Sequence, residues 1–297
     1  MFYENWMDYI VPSAKITQIA IPGAHNSCTM GMPHTACCQN GTPLEQYQYG
    51  VREFCVRVKK KKDGVHIAHG ISTGMPAEKA FAYFGEILAK YDEFIILDIR
   101  TYGDQKVGPI TLKYGADPKT IDELIEKYLE PEKYAFTDFD DIRNVTLEDI
   151  KKSGKRYLIH HKDCEYEYSK NVHLLEPWDK ELFGYKPEKF ARENLKCLTE
   201  LDSEGFFWFQ SQQTPNFGTE MGLTWPDKLD ELDRPYFPWM MEQIAADPVK
   251  LNKANIVAGD FMTRDYMKVN EILRLNLLKG IVKPEREQEY AQAIKAR

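Results

Sequence analysis

Two histidines in this sequence follow apolar, strand-like runs and have the residue type and placement for paired acid–base chemistry. His25 follows the run 21–24 (Ile-Pro-Gly-Ala), where Pro and Gly predict the end of a strand, and His69 follows Ile67-Ala68 and precedes a glycine. A single histidine in a polar loop is ordinarily just solvated. Two imidazoles at neighbouring strand ends suit a general base and a general acid, because histidine titrates near neutral pH.

Arg57 ends the apolar run 54–56 and is a candidate for binding an anion. A guanidinium directed into an apolar interior is costly without an anionic partner. A structural ion pair is one explanation. A phosphate ligand explains it better, because the guanidinium fork matches phosphate oxygens.

A basic run, 59–62, leads into Asp63-Gly64, a pair typical of turns. The simplest interpretation is a solvated loop. The alternative is attraction to anionic lipid headgroups, worth about 1 kcal/mol per basic residue near a membrane surface.

Metal-site patterns are weak. His160 and His161 are adjacent on a predicted strand, so they point to opposite faces and do not easily bind one ion. The six cysteines lack a Cys-x-x-Cys spacing, and we predict reduced, mostly buried thiols. They lie at positions 28, 37, 38, 55, 164 and 197.

The composition is that of an ordinary globular protein. The 297 residues are 43% hydrophobic and 29% charged, with a formal net charge of −7, which argues against a nucleic-acid partner. No apolar stretch approaches the roughly 18 residues of a membrane-spanning helix. Met1 is not followed by the basic segment and the apolar segment of a signal peptide, so we predict no signal peptide at this N-terminus.

Strand patterns alternate with helical patterns along the chain. The run 93–99 is apolar and β-branched, as in a strand buried on both faces. Asp117 before Pro118 predicts a helix start, and Thr146 with Asp149 predicts a capping box. The predicted strands are 15–22, 50–58, 64–69, 93–99, 156–160, 206–210 and 254–261, and the predicted helices are 77–90, 118–129, 186–201, 237–246 and 266–278.

This alternation predicts an α/β fold, an irregular TIM-like (β/α)8 barrel in which residues 1–297 form a single domain. An open doubly wound sheet is the alternative, weakened because no Gly-rich nucleotide-binding motif follows the first strand. In a barrel, chemistry lies where strands end at their C-terminal side. Six polar residues fall at or near such ends: His25, Arg57, His69, Arg100, His161 and Asp260.

Four motifs occur in a fixed order. They are 21–27 (Ile-Pro-Gly-Ala-His-Asn-Ser), 50–57 (Gly-Val-Arg-Glu-Phe-Cys-Val-Arg), 68–70 (Ala-His-Gly) and 94–100 (Phe-Ile-Ile-Leu-Asp-Ile-Arg). In this order and spacing they resemble the catalytic X domain of bacterial phosphatidylinositol-specific phospholipase C. The runs 6–10 and 255–261 also fit, so the resemblance covers roughly residues 5 to 265, with a weakly matched middle.

The resemblance implies cleavage of a phosphodiester without a metal or other cofactor. His25 would take the proton of the inositol 2-hydroxyl, whose oxygen attacks the phosphorus, and His69 would protonate the departing diacylglycerol oxygen. The other product would be myo-inositol 1,2-cyclic phosphate. Arg57 would neutralise the non-bridging phosphate oxygens. Asp260 would orient His25, and Asn26, where the family has Asp, would orient it without a charge.

For substrate binding, the resemblance implies Arg100 as the basic strand-end residue that helps to hold the ligand. Asp179 aligns with a carboxylate that binds inositol hydroxyls, and Glu181 with the position of a stacking aromatic. His161, at a strand end, completes the candidate set.

Animal relatives of this family use calcium, held in part by carboxylates in the strand that here carries Cys55 and Arg57. Calcium needs several oxygen ligands, and only Asn26 remains. We therefore expect no calcium requirement, with the Arg57 cation in the place of the metal.

Two alternative functions stay open. One is the same chemistry on another inositol phosphodiester. The other is a headgroup-binding module with impaired catalysis, which Asn26 and Cys55 would explain. In each case the expected partner is an inositol lipid or a related ligand. We expect the protein to be a monomer that contacts a membrane surface transiently. Family analogy implies secretion, and a cytoplasmic location is the alternative.

Overall fold

The structure, a computed structural model, describes residues 1–103, 105–107, 110–112, 114–161, 165–176, 187–212 and 234–295. Its strands are β1 Ile21–Ala24, β2 Glu53–Lys61, β3 Gly64–His69, β4 Ser72–Pro76, β5 Ile95–Thr101, β6 Gln105–Val107, β7 Ile110–Leu112, β8 Tyr157–His160, β9 Ser169–Lys170, β10 Trp208–Gln210 and β11 Ile256–Gly259. Its α-helices are Pro43–Gln48, Ala77–Lys90, Pro118–Leu129, Pro131–Tyr134, Leu147–Ser153, Pro187–Glu200, Phe237–Ala246, Pro248–Lys253, Met267–Leu278 and Glu287–Lys295.

The main sheet has the strand order β10-β11-β1-β2-β5-β8-β9, and every neighbouring pair along it is parallel. β3 and β4 add an antiparallel extension to β2, and β6 and β7 form a separate ribbon. A parallel bridge between Leu175 and Phe207 links the segment after β9 to the start of β10. The two ends of the strand order therefore meet, and the sheet curls into an irregular barrel, which confirms the predicted fold class.

Local sequence signals account for the helices around the barrel. The Asp117 side chain accepts a hydrogen bond from the Lys119 amide, and Thr146 and Asp149 form the predicted capping box. Helix Ala77–Lys90 buries Phe81, Phe84, Ile87 and Leu88, which recur at helical spacing. In the described part of the chain, no helix has the length and apolar character needed to cross a membrane.

The first strand differs from its prediction. Pro22 and Gly23, which we expected to end a strand over 15–22, instead form the middle of β1. Pro22 still contributes its carbonyl, which accepts from the Arg52 amide at 2.9 Å. A Cβ on Gly23 would stand 3.1 Å from Ile256 and 3.3 Å from Ala258, so glycine permits the close approach of β11.

The second strand is as long as predicted but lies three residues further along the chain, at Glu53–Lys61 rather than 50–58. β2 continues through Lys61 and turns at 62–63 into β3, so three lysines of the basic run lie on a strand rather than in a loop. Arg57 consequently lies within β2 and not at its end. The antiparallel β2–β3 hairpin reverses the direction of the chain and places His69 at the mouth of the barrel.

Candidate active site

His25 and Asp260 lie side by side, directly after the C-terminal ends of β1 and β11. Ala24 of β1 is in register with Gly259 of β11, so the residues that follow are neighbours. His25 Nδ1 lies 2.8 Å from Asp260 Oδ1, and both side chains are buried. The carboxylate accepts the Nδ1 proton, which leaves Nε2 as the proton-accepting atom of the ring.

Asn26 holds the other side of the same ring. Its Nδ2 lies 3.0 Å from His25 Nε2 and 3.4 Å from Cys38 Sγ. Its backbone has φ +46°, a left-handed conformation that asparagine tolerates better than most residues. Its Oδ1 is buried without a hydrogen-bond partner in the described part of the chain. The amide thus keeps Nε2 in its acceptor form.

His69 faces His25 across the mouth of the barrel. The two ring centroids are 6.0 Å apart and the ring planes are inclined by 88°. His69 Nδ1 lies 3.1 Å from the Ala36 carbonyl oxygen, to which it donates, and 3.5 Å from Cys38 Sγ. With Nδ1 occupied, Nε2 is the atom of His69 that remains for a ligand.

Arg57 and Arg100 are in register on β2 and β5 but have different surroundings. Arg100 donates from Nε to Asp98 at 2.7 Å and pairs with Glu176 at 2.5 Å, and its guanidinium lies 4.7 Å from the Trp208 ring centroid. Arg57 is half-buried, and its Nε has no hydrogen-bond partner in the described residues. Arg57 therefore has donor capacity left for an anion, whereas the Arg100 guanidinium is already ion-paired with two carboxylates.

Burial dominates the electrostatics of the two histidines. It lowers the pKa of His25 well below the usual range, and the nearby Arg57 charge lowers it further. Burial and then His25 lower the pKa of His69 to about 4. Burial raises the pKa of Asp260 to about 7. Both imidazoles are therefore neutral at pH 7 in the unliganded cleft, ready to accept a proton but not yet charged acids.

The other predicted residues lie elsewhere. His161 directly follows β8, and its Nδ1 contacts Ser169 Oγ at 2.7 Å rather than the two facing histidines. Asp179 and Glu181 fall outside the described residues.

Sequence reasoning missed two groups at the site. Cys38 contacts Asn26 and His69, and its Sγ belongs to a set of metal-ligand donors with His25 and Asp260, all within 4.8 Å of one another. Glu53 is fully buried under the site, and burial raises its pKa well above the usual range. The available signal for Glu53 was a carboxylate within a strand otherwise buried on both faces.

Neither a protein-family profile nor a curated protein matches this sequence. Solved structures do match. A variant of the phosphatidylinositol-specific phospholipase C from Staphylococcus aureus aligns with TM-score 0.66 and 16% identity, covering 92% of this chain and 96% of that one. The enzyme of the same name from Listeria monocytogenes aligns with TM-score 0.60 and 15% identity, covering 92% and 98%.

A further S. aureus structure, concerned with modulation of that enzyme's membrane binding, aligns with TM-score 0.63 and 16% identity over 92% and 97% of the two chains. The chain therefore has the fold of the bacterial phosphatidylinositol-specific phospholipases C over nearly its whole length. The resemblance seen in the motifs is confirmed at the level of the fold.

Proposed function

We propose that this protein cleaves the phosphodiester of phosphatidylinositol or a related inositol phospholipid. The observation that carries the proposal is the facing pair of His25 and His69, with Asp260 behind the first ring and an Arg57 Nε that has no hydrogen-bond partner among the described residues. On a fold shared with bacterial phospholipases C, this is an arrangement for metal-free acid–base cleavage.

In the proposed reaction, His25 Nε2 takes the proton of the inositol 2-hydroxyl as its oxygen attacks the phosphorus. Asp260 stabilises the resulting imidazolium through the Nδ1 hydrogen bond. Arg57 neutralises the negative charge on the non-bridging oxygens. His69 gives a proton to the departing diacylglycerol oxygen, and the ring closes to inositol 1,2-cyclic phosphate.

The negative charge of the substrate would raise the pKa of His69, which is low in the unliganded site. The pKa of His69 near 4 reflects chiefly the burial of its ring in the unliganded cleft. A bound phosphodiester places a negative charge beside the ring and raises that pKa, so His69 becomes the protonated acid only in the complex.

A second candidate rests on Asn26. Its amide hydrogen bond to His25 Nε2 occupies the atom that the substrate hydroxyl must reach. The alternative is accordingly an inositol-headgroup binder with impaired turnover. It predicts binding of myo-inositol without product, and an increase in cleavage in Asn26→Asp, where a carboxylate would support the histidine as a charged partner.

Phosphorus NMR of phosphatidylinositol in detergent micelles, with EDTA present, tests the first candidate directly. We expect a growing cyclic phosphate signal from the wild type and a loss of about 10²- to 10⁴-fold in His25→Ala and in His69→Ala. His173→Ala, a change at an exposed histidine, is the matched control and should keep full activity. Absence of the cyclic product from the wild type, or full activity in both cleft variants, would contradict the proposal.

A further inference from the structure

Cys38 is a fully buried thiol among the side chains of the proposed active site. Its Sγ lies 3.5 Å from His69 Nδ1, and its side chain also hydrogen-bonds to Asp260. Sγ, a ring nitrogen of His25 and a carboxylate oxygen of Asp260 all lie within 4.8 Å of one another. Three potential metal ligands of three chemical kinds therefore lie close together in the cleft, and His69 lies beside the thiol.

This donor set matches zinc better than the hard cations. Zinc takes cysteine sulfur at about 2.3 Å and histidine nitrogen or carboxylate oxygen at about 2.0 to 2.2 Å, in tetrahedral geometry. Such bond lengths place ligand atoms about 3.5 Å apart. The observed separations need only small side-chain adjustments to reach this value. Calcium and magnesium prefer all-oxygen ligands, which this cluster does not supply.

We propose that His25, Cys38 and Asp260, with His69 as the fourth ligand, form an inhibitory binding site for zinc or a similar thiophilic divalent ion. The inhibitory part of the inference rests on the proposed function. An ion bound here would occupy the lone pairs of both imidazoles, so the base could no longer accept a proton and the acid could no longer carry one. Binding would release the thiol proton of Cys38 to solvent.

Cobalt is a suitable probe because a tetrahedral cobalt–thiolate site absorbs in the near ultraviolet through sulfur-to-metal charge transfer. The purified full chain would be treated with a chelator, freed of it, and titrated with cobalt chloride. We expect a charge-transfer band that saturates at one ion per chain and is abolished by zinc. The Cys38→Ser variant should lose the band and bind zinc on the order of 100-fold more weakly.

Cys37→Ser is the matched control. Cys37 is the adjacent residue, and its Sγ contacts the Gln39 carbonyl oxygen at 3.3 Å rather than the four ligands. This variant should keep the band and the zinc affinity. If circular dichroism shows Cys38→Ser to be unfolded, Cys38→Ala takes its place in the same titration.

The outcomes separate the metal site from the catalytic proposal. No band in the wild type, or an equal band without the Cys38 thiol, would overturn the metal site whatever the activity. A band in a protein that cleaves no inositol phosphodiester would support the metal site and defeat the proposed function. Cleavage that zinc abolishes and EDTA restores, together with a Cys38-dependent band, supports both. Cleavage unaffected by saturating zinc would refute inhibition.

Discussion

At the scale of single residues, the site depends on charged and polar groups held away from water. Asp260 is almost wholly buried and accepts the Nδ1 proton of His25, while its backbone oxygen accepts from Lys268 Nζ at 2.6 Å. Burial of a carboxylate favours its neutral form, so the molecule loses stability to keep Asp260 ionised at neutral pH. Function and stability are therefore opposed at this residue.

Replacing Asp260 by Asn should reveal this conflict between the proposed catalytic role and stability. The burial cost of the ionised carboxylate is present above its folded-state pKa of about 7 and fades as the pH falls toward 4, where Asp260 is protonated. We expect Asp260→Asn to be more stable than the wild type by about 1 to 3 kcal/mol at pH 8 and equally stable near pH 4. Chemical denaturation at the two pH values measures this. Cleavage should fall by about 10³- to 10⁴-fold. A variant that is less stable at pH 8 would refute the argument.

The pH dependence of cleavage should differ between free enzyme and complex. kcat/KM reports groups of the free enzyme, where the pKa of His69 is about 4, and kcat reports the complex, where an anionic phosphate raises it. On a soluble substrate such as glycerophosphoinositol, we expect the alkaline limb of kcat to lie about 1 to 3 pH units above that of kcat/KM. Coincident limbs would argue against His69 as an acid charged by substrate binding.

At the scale of elements, strand β1 shows how tertiary contacts override local propensity. Pro22 and Gly23 disfavour a strand by themselves, yet β1 is paired on both sides, with β11 and with β2. The strand needs a residue without a side chain at Gly23, because a Cβ there would collide with the buried Glu53 carboxylate and approach β11. This close packing brings His25 and Asp260 into contact.

Gly23→Ala therefore tests the positioning role of β1. We expect a loss of about 1 to 3 kcal/mol in unfolding free energy, because the added methyl must displace the Glu53 side chain or β11. Gly103→Ala is the control, since no described residue lies within 4 Å of a Cβ built there, and it should change stability by less than about 0.5 kcal/mol. Thermal unfolding of both variants measures the difference. Equal effects would show that β1 tolerates a side chain.

At the scale of the whole molecule, an exposed apolar side chain lies beside the mouth of the barrel. Ile71 is 98% exposed and lies two residues after His69. The turn that carries it is fixed, because the Gly70 amide donates to the Tyr102 hydroxyl at 2.8 Å and the Gly70 carbonyl accepts from Lys59 Nζ. If the protein makes the transient membrane contact that we predict, this apolar side chain on a fixed turn beside the cleft would enter the interface.

Ile71→Ser should reduce cleavage of phosphatidylinositol in vesicles without affecting a soluble substrate. Removing this apolar contact should weaken membrane binding roughly tenfold, which corresponds to about 1.4 kcal/mol. Vesicle sedimentation and activity assays on both substrates measure the effect, with Ile71→Leu as a control that keeps the apolar surface. A loss of the same size on the soluble substrate would indicate damage to the cleft instead.

Much of the architecture could be predicted because it is encoded in short-range interactions. Caps such as Asp117 and the apolar spacing of helix Ala77–Lys90 involve residues a few positions apart, and the predicted bounds of that helix match the structure. The strand boundaries were less accurate. β1 ends where β11 stops supplying hydrogen bonds, and that neighbour lies far away in the chain. β2 continues to the hairpin with β3, a pairing that the apolar pattern alone did not reveal.

The sequence by itself determined the five longest helices, the alternation that leads to a barrel, and the residues of the facing pair, His25 and His69. Only the tertiary structure decided what each polar group contacts. Arg100 meets Glu176 across 76 positions of the chain, and Cys38 meets His69 across 31. Such contacts depend on how the parallel sheet curls and where the β2–β3 hairpin folds back, and no local pattern encodes that geometry.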